Sequence, residues 1–585
     1  MLILDCEVYS DYFLLAVIRS GGERVRRYEM YPGHPLDDGI AQLLTRHSSA
    51  GFNSLNYDLP IIAAAVRGAT NRRLKELSDK IIIDATPWWK LGIRVPNTWD
   101  HIDLFHLAVG QGSLKIYGGR LHAPKLQDLP IDPAASINAA DREKLRTYCA
   151  NDLALTDRLY QRLTPQIELR EKMTKQYGVD LRSKSDAQIA EAVIRHEIER
   201  LGGQVSKPYI KPETTFRYLD PDVFEFQSVK LQNLLARLLA EDFPLSSTGS
   251  IDAPVWLKKS TVTLGGVDYH LGMGGLHSSE KRQFVEPSKH EFLIDLDVTS
   301  YYPAIILGQR LSPKHLGEPF LAVFQTLVDR RIAAKRRGDM VEADALKITI
   351  NGTFGKLGSK YSFLHSPDLL LQTTLTGQLA MLMLIEQMNL RGIRTVSANT
   401  DGIVLHANLS RLRDMEEVAW DWMLSTGYEL EQTPYRLIAS RDVNNYFAIK
   451  PDGQVKGKGI FAPPSLAKNP DAQIVYDVVI DRVARGTSIE QAILECRDIT
   501  RFVCVRHVTG GAVWGDQWVG KAIRYYHSST VCKEKTITYL KNGNKVPNTQ
   551  GARPLMKLPT EFPDDVDYAV YFAEAEKLLR EVGYR

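Results

Sequence analysis

The sequence predicts a multidomain α+β chain, on three observations. Its 585 residues are enough for about four domains of common size, and an apolar share of 44% supplies a large core. Runs such as EFLIDLDV at 291–298 read as strands, with side chains alternating between two faces. Others, such as AQIAEAVIRHEIERL at 187–201, repeat apolar residues at helical spacing. The net charge of +3 is close to neutral, so any nucleic-acid surface must be a local basic patch. No run of about 18 apolar residues predicts a membrane span, and MLILDCEV has no basic leader, so no signal peptide is expected. The cysteines, Cys6, Cys149, Cys496, Cys504 and Cys532, are odd in number and lack metal-ligand spacing, which fits reduced thiols in a cytoplasm-like compartment.

The elements follow in chain order. Residues 1–18 read as a strand, a turn near Ser10-Asp11 and a second strand, with Asp5 and Glu7 on one face. The stretch GFNSLNYDLP at 51–60 follows. Tyr148 and Asp152 lie in a helical stretch, one turn apart on one side. Asp103 reads as a structural strand carboxylate, and Lys115 and Lys125 as flanking a glycine-rich loop. Residues 165–201 are mostly helical and end at Gly202-Gly203. Residues 220–245 read as one more helix, and 261–280 alternate like strands around the turn at Gly274-Gly275.

The run 291–298 is apolar on both faces and reads as a buried strand. Its two carboxylates, Asp295 and Asp297, are expensive there unless something compensates them. The strand stops at Thr299-Ser300, so Asp297 sits where a cation can reach it. Residues 320–338 form a helix that turns basic, Gly338-Asp339 is a turn, and a second helix runs through Gly355. Arg331 and Lys335 share a face of the first helix, Lys347 and Asn351 a face of the second. Such groups suit a triphosphate, Arg as a fork and Lys as a point charge. A long apolar helix over 369–390 precedes TVSANTDGIVLH at 395–406, which reads as a hairpin. Helices follow over 471–485 and 488–496. From Arg506 the chain is basic with interleaved aromatics, including Lys521, Arg524, Tyr525, Tyr526, Lys533 and Lys535, which suits duplex backbone. Taken singly, each motif has a plainer reading: a solvated strand face for Asp5 and Glu7, a solvated helix face for the basic run, a hairpin tip for 399–402.

Taken in order, the motifs resemble those of family B DNA polymerases. Asp297–Ile306, DVTSYYPAII, resembles D-x-x-S-L-Y-P-S-I-I, departing at Tyr301 and Ala304. Lys347–Gly355, KITINGTFG, resembles K-x(3)-N-S-x-Y-G, departing at Gly352 and Phe354. Asn399-Thr400-Asp401-Gly402 stands for D-T-D-S. Asp5-Cys6-Glu7, Asn53 to Asp58, and Tyr148 to Asp152 resemble D-x-E, N-x(3)-[FY]-D and Y-x(3)-D of the DEDD proofreading domain.

The resemblance implies an RNase H-like (DEDD) 3′–5′ exonuclease domain over 1–165, then a right-hand polymerase. Its connector and N-terminal palm span 166–285, palm 286–319, fingers 320–366, palm again 367–450, and thumb with C-terminal DNA-binding region 451–585. It implies template-directed DNA synthesis from a primer 3′-OH with proofreading, of compact phage type, acting in the host cytoplasm. Two Mg²⁺ or Mn²⁺ ions are implied per site. Asp297 and Asp401 hold one pair; Asp5, Glu7, Asp58 and Asp152 hold the other, with Tyr148 orienting the attacking water. Arg331, Lys335, Lys347 and Asn351 grip the nucleotide, Tyr302 excludes a 2′-OH, and Phe354 packs on the nascent pair. Asn53, Tyr57, Tyr446 and Lys456 contact DNA, Lys456 because Asn444 stands where a lysine is expected. Gly272-Met273-Gly274-Gly275 occupies the place of a Y-x-G-G motif, and Gly352 is expected to loosen its helix by about 1 kcal/mol relative to Ala.

The implied partners are primer–template DNA, dNTPs and replisome proteins such as a helicase, primase and single-strand binding protein. No membrane is expected, and a monomer is. The chain is expected to start directly at the nuclease, without the family's usual extra N-terminal domain. Only 50 positions separate Asp297 from Lys347, which favours priming from an existing 3′-OH over a terminal protein. The different-class alternative is a 3′–5′ exonuclease or DNA-binding repair factor whose polymerase site has decayed, suggested by Asn399, Gly352 and Asn444. A structural replisome protein is the third.

Overall fold

The strand β1 (Leu2–Val8) is the centre of a five-stranded sheet completed by β2 (Phe13–Arg19), β3 (Arg26–Met30), β4 (Ser49–Gly51) and β5 (His101–Asp103). The order is β3-β2-β1-β4-β5. The first three strands form an antiparallel meander, and β4 and β5 run parallel to β1. Alternation along β1 serves both faces. Ile3 joins the core under the long helix Ala139–Tyr177, whereas Leu4, Cys6 and Val8 join the core under the helices Asp58–Val66 and Asn71–Ile82. Asp5 and Glu7 share the Ile3 face, the face of the long helix.

The computed structural model describes residues 1–584 and is a mixed α+β chain of two units. The first unit is Met1–Ser185 with Pro464–Val475 and Glu490–Ala573. The stretch 451–585, expected as one thumb region, is therefore shared between units. Its strands Cys504–Trp514 and Gln517–His527 form an antiparallel ribbon that packs on the helix Leu114–Arg120 through Ile116, Val505 and Ala522. Arg524, fully buried, donates to the carbonyls of Ala123 (2.7 Å) and Leu555 (2.8 Å). It is a structural anchor, and burial lowers its pKa to about 10. The expected glycine-rich loop between Lys115 and Lys125 is helical at its start. A Cβ on Gly118 would lie 2.9 Å from Leu155 Cδ2 and one on Gly119 2.7 Å from Val505 Cγ1, so these glycines permit close helix packing.

The second unit, Asp186–Pro463 with Tyr476–Ile489 and the chain from Glu574, is built on a seven-stranded antiparallel sheet. In spatial order its strands are Leu430–Pro434, Glu291–Val298, Gly402–Asn408, Arg394–Asn399, His277–Ser278, Val267–His270 and Thr261–Leu264. Behind it lies the helix Pro367–Leu390. Among the described residues this is the one helix long and apolar enough to cross a membrane, and 89% of its apolar window is buried. It is the core element of the unit, packing with Leu296, Ile305 and Ile403 in one cluster. The helical hairpin has the expected form, Gly317–Arg337 and Met340–Leu357, and packs against Asp186–Arg200.

Two expected helices are shorter. Residues 165–201 break between Tyr177 and Asp186, where Gly178 takes φ +65°. Within 220–245 only Val229–Ala240 is helical. The buried Glu386 carboxylate accepts from the backbone N–H of Gln227 and Ser228, both at 2.8 Å, which holds the preceding chain extended.

Candidate functional site

Each unit gathers carboxylates. In the first, Asp5 and Glu7 project from β1 toward the long helix, which supplies Tyr148, Cys149 and Asp152. Asp5, Glu7 and Cys149 each offer a donor atom within 4.8 Å of the others, and the Cys149 thiol donates to Asp5 Oδ2 at 3.3 Å. Asp58, in the first turn of its helix, accepts the Cys6 N–H at 3.0 Å. Lys115 pairs with Asp152 and lies 4.5 Å from the Tyr148 ring centre.

One lysine does not balance this cluster. Burial, then Asp58 and Asp152, push Asp5 well above the usual carboxylate range. Burial, then Asp5 and Asp152, do the same to Glu7. Burial lifts Asp58 to about 7 against hydrogen bonds from Cys6, and it raises Asp152 against Lys115. Burial, then Asp152, raises the Tyr148 phenol. Four crowded oxygen-donor side chains short of positive charge suit hard divalent cations. The loop ahead of Asp58 is held by Asp103, whose carboxylate accepts from the N–H groups of Asn53 (2.8 Å), Leu55 (3.0 Å) and Phe105 (2.9 Å). Asn53 takes φ +59° there, and its side-chain oxygen accepts from Asn56. Tyr57 turns its hydroxyl to Ser78, 2.8 Å away.

In the second unit Asp297 pairs with Gly402 in register, and Val298 N–H donates to the Asp401 carbonyl at 2.7 Å. The two carboxylates thus leave adjacent strand ends. The hairpin tip is set by Thr400 at φ +60° and by its N–H to the Leu276 carbonyl at 2.7 Å. Gly402 matters here, since a Cβ on it would overlap Asp297 Oδ1. Desolvation, then Asp297, raises Asp401. The Gly272–Gly275 stretch is clasped by Gln378, which accepts from Gly272 N–H (2.9 Å) and donates to the Gly272 and Gly274 carbonyls (2.8 Å each). Gly275 leaves room for Thr400. Asn399, in place of an aspartate, donates through Nδ2 to the Val443 carbonyl at 3.2 Å, a bond that a carboxylate cannot make.

Asp295 lies on the same strand face as Asp297 and is buried. Its compensation is Tyr435, which donates to Oδ2 at 2.5 Å, and Lys456, at 2.9 Å. Lys456, expected at DNA, also reaches Asp297 Oδ2 at 3.4 Å. Tyr446 packs half-buried against Val285, Leu293 and Tyr435, and burial lifts its pKa to about 12. The sequence signal for this arrangement was the unpaid charge at Asp295; its partners lie more than a hundred residues away.

The hairpin presents Lys335, Lys347 and Asn351 to solvent. Arg331 is half-buried and donates to Ser300 Oγ at 2.8 Å, tying the basic face to the end of the Asp297 strand. Its Nε is buried without a partner among the described residues. Arg330 and Arg337 both pair with Glu342, at 2.8 and 2.9 Å, and close the hairpin. Tyr302 and Phe354 stack, ring centres 4.1 Å apart, while Tyr301 is buried and donates to the Gly377 carbonyl at 2.6 Å. Gly352 has a packing role: a Cβ there would lie 2.8 Å from both Ala190 Cβ and the Asp186 carbonyl oxygen.

No protein-family model matches the chain, and no curated protein does. Among solved structures it is similar to the family B DNA polymerase from the hyperthermophilic archaeon Pyrobaculum calidifontis. The TM-score is 0.43 and the sequence identity 14%, over 99% of this chain and 77% of that one.

Proposed function

We propose that the chain is a DNA-dependent DNA polymerase with a 3′–5′ proofreading exonuclease, extending an existing primer 3′-OH. The observation that carries this is the pairing of Asp297 with Gly402, which sets Asp297 and Asp401 side by side at the end of a buried sheet. The hairpin bearing Lys335, Lys347 and Asn351 is bonded to that strand end through Arg331 and Ser300. A carboxylate pair beside a basic helical face is what nucleotidyl transfer needs.

The residues at both sites fit divalent cations. Asp297 and Asp401 would hold them in the second unit, and Asp5, Glu7, Asp58 and Asp152 in the first. Bound there, Mg²⁺ or Mn²⁺ supplies charge neutralisation and a more acidic hydroxyl or water. The chain's own residues do the rest. Lys335, Lys347 and Asn351 bind the triphosphate, whose pyrophosphate leaves as the primer oxygen joins the α-phosphorus. The Tyr302–Phe354 stack floors the nucleotide position and selects against a 2′-OH. In the first unit Tyr148 orients the attacking water, and Lys115 offsets charge at Asp152. Asn53 meets the single-stranded primer end. The departures at Asn399 and Gly352 have packing and hydrogen-bonding reasons of their own, which weighs against a decayed site.

The test is a labelled primer on a longer template with Mg²⁺, with and without dNTPs, comparing wild type, Asp401→Ala and Asp5→Ala. Wild type is expected to extend with dNTPs and shorten without them, each variant losing only its own activity. A wild type that only shortens the primer would leave a nuclease alone.

A further inference from the structure

Lys456 is shared between two carboxylates on one strand face. It lies 2.9 Å from Asp295 Oδ2 and 3.4 Å from Asp297 Oδ2. Asp295 is buried, whereas the Asp297 side chain is 45% exposed, so one partner is fixed and the other stands open. Tyr435 donates to the same Asp295 oxygen at 2.5 Å, and its ring centre is 5.8 Å from the ammonium. The lysine stem is held in register on the strand Val455–Gly457, opposite Ala448. The next residue, Gly457, lies so close to the Phe461 carbonyl that no Cβ fits.

We infer that Lys456 is a positioning residue that sets how strongly Asp297 takes a divalent cation, with Asp295 and Tyr435 drawing the ammonium away from Asp297. This rests on the reading of Asp297 as a metal ligand. The argument is one of charge competition. An ammonium within 4 Å of a carboxylate competes for it with any incoming cation, and the competition weakens when a second anion shares the ammonium. Removing the Asp295 charge leaves Lys456 to Asp297 alone and lowers its cation affinity. Removing the Lys456 charge leaves two uncompensated carboxylates and raises cation affinity. Asp295 also attracts a cation through its own charge, so the part routed through Lys456 is the part of the Asp295→Asn effect that disappears in a Lys456→Met chain.

The experiment is Mn²⁺ binding to the full chain without DNA, read by the EPR signal of free Mn²⁺. The Asp5→Asn, Asp58→Asn background suppresses the first-unit site. Asp297→Asn identifies the binding that belongs to the second. Within that Asp297-dependent binding, Lys456→Met is expected to tighten affinity about tenfold and Asp295→Asn to weaken it about tenfold, with Lys456→Arg near wild type. Thermal melts check that each variant folds. Shifts of the same sign, or none, in Lys456→Met and Asp295→Asn, or an Asp295→Asn effect undiminished in the Lys456→Met chain, overturn the inference while leaving Asp297 a ligand. Absence of any Asp297-dependent binding overturns the ligand reading itself, and the inference with it.

Discussion

In the first unit Asp5, Glu7, Asp58 and Asp152 crowd around Lys115; in the second, Asp295 and Asp297 share Lys456, and Asp401 stands at the neighbouring strand end. The first set is crowded, so burial and mutual repulsion raise Asp5, Glu7 and Asp58 above the usual carboxylate range. In the second, Lys456 and Tyr435 offset the buried Asp295 in part, burial still raising it, while Asp297 and Asp401 face solvent. Each set thus holds an ammonium, but one lysine serves four carboxylates in the first and is shared by two in the second, so the two sets are expected to respond differently to mutation, pH and chelation.

The largest expected effect comes from Gly402→Ala. The new Cβ would overlap Asp297 Oδ1, the free end of a side chain, so the carboxylate would rotate rather than the sheet break. A displacement of about 1 Å at a reacting centre costs about a hundredfold in rate. Primer extension should fall by that much while shortening of the primer and the melting temperature stay as in wild type. Extension within about threefold of wild type would mean that Asp297 keeps its working position by other means.

Chelation combined with pH sharpens the other side. Unfolded carboxylates titrate near pH 4, whereas in the folded first unit Asp58 titrates at about 7 and Asp5 and Glu7 are also raised. Between those values the folded state holds more protons than the unfolded, so stability falls as pH rises from about 4 through 7. In EDTA the melting temperature should drop by several degrees between pH 5 and pH 8. Mg²⁺ should flatten the dependence, and so should Asp58→Asn in part. A profile indifferent to Mg²⁺ would mean that this cluster is not where cations act.

Much of this was legible in the sequence, where the information is local. Period-two alternation located β1, β2 and the strand carrying Asp297, and Asn-Thr-Asp-Gly between apolar runs located the hairpin of Asp401. Spacing of one helical turn placed Lys347 and Asn351 together on an exposed face. What escaped was settled by partners far along the chain. Lys456 reaches Asp295 across 161 positions and Glu386 caps the chain at Ser228 across 158. Arg524 binds the Ala123 carbonyl across 401, which is why residues read as a separate C-terminal region belong to the first unit. Periodicity carries no record of such pairings, although an uncompensated buried carboxylate announces that one exists.

The smallest effect tests whether the second site is intact or eroding. Gly352 stands where the resembled motif has serine, and restoring the serine separates the two accounts. If the glycine were drift in a disused site, Gly352→Ser would be neutral, or would stabilise its helix by removing a flexible residue. Packing argues the reverse. The added Cβ would sit 2.8 Å from Ala190 Cβ and from the Asp186 carbonyl oxygen, both fixed by the helix that crosses there, so neither can swing aside. Overpacking of this kind costs about 1–3 kcal/mol, partly offset by the gain in helix propensity. Gly352→Ser should therefore lower the unfolding free energy of the second unit by about 1 kcal/mol in a urea titration, and by less when it is made in an Ala190→Gly chain and compared with Ala190→Gly alone, whose own helix cost is about 1 kcal/mol. That smaller loss is the decisive reading, because a serine harmful only through its hydroxyl would be indifferent to the size of residue 190.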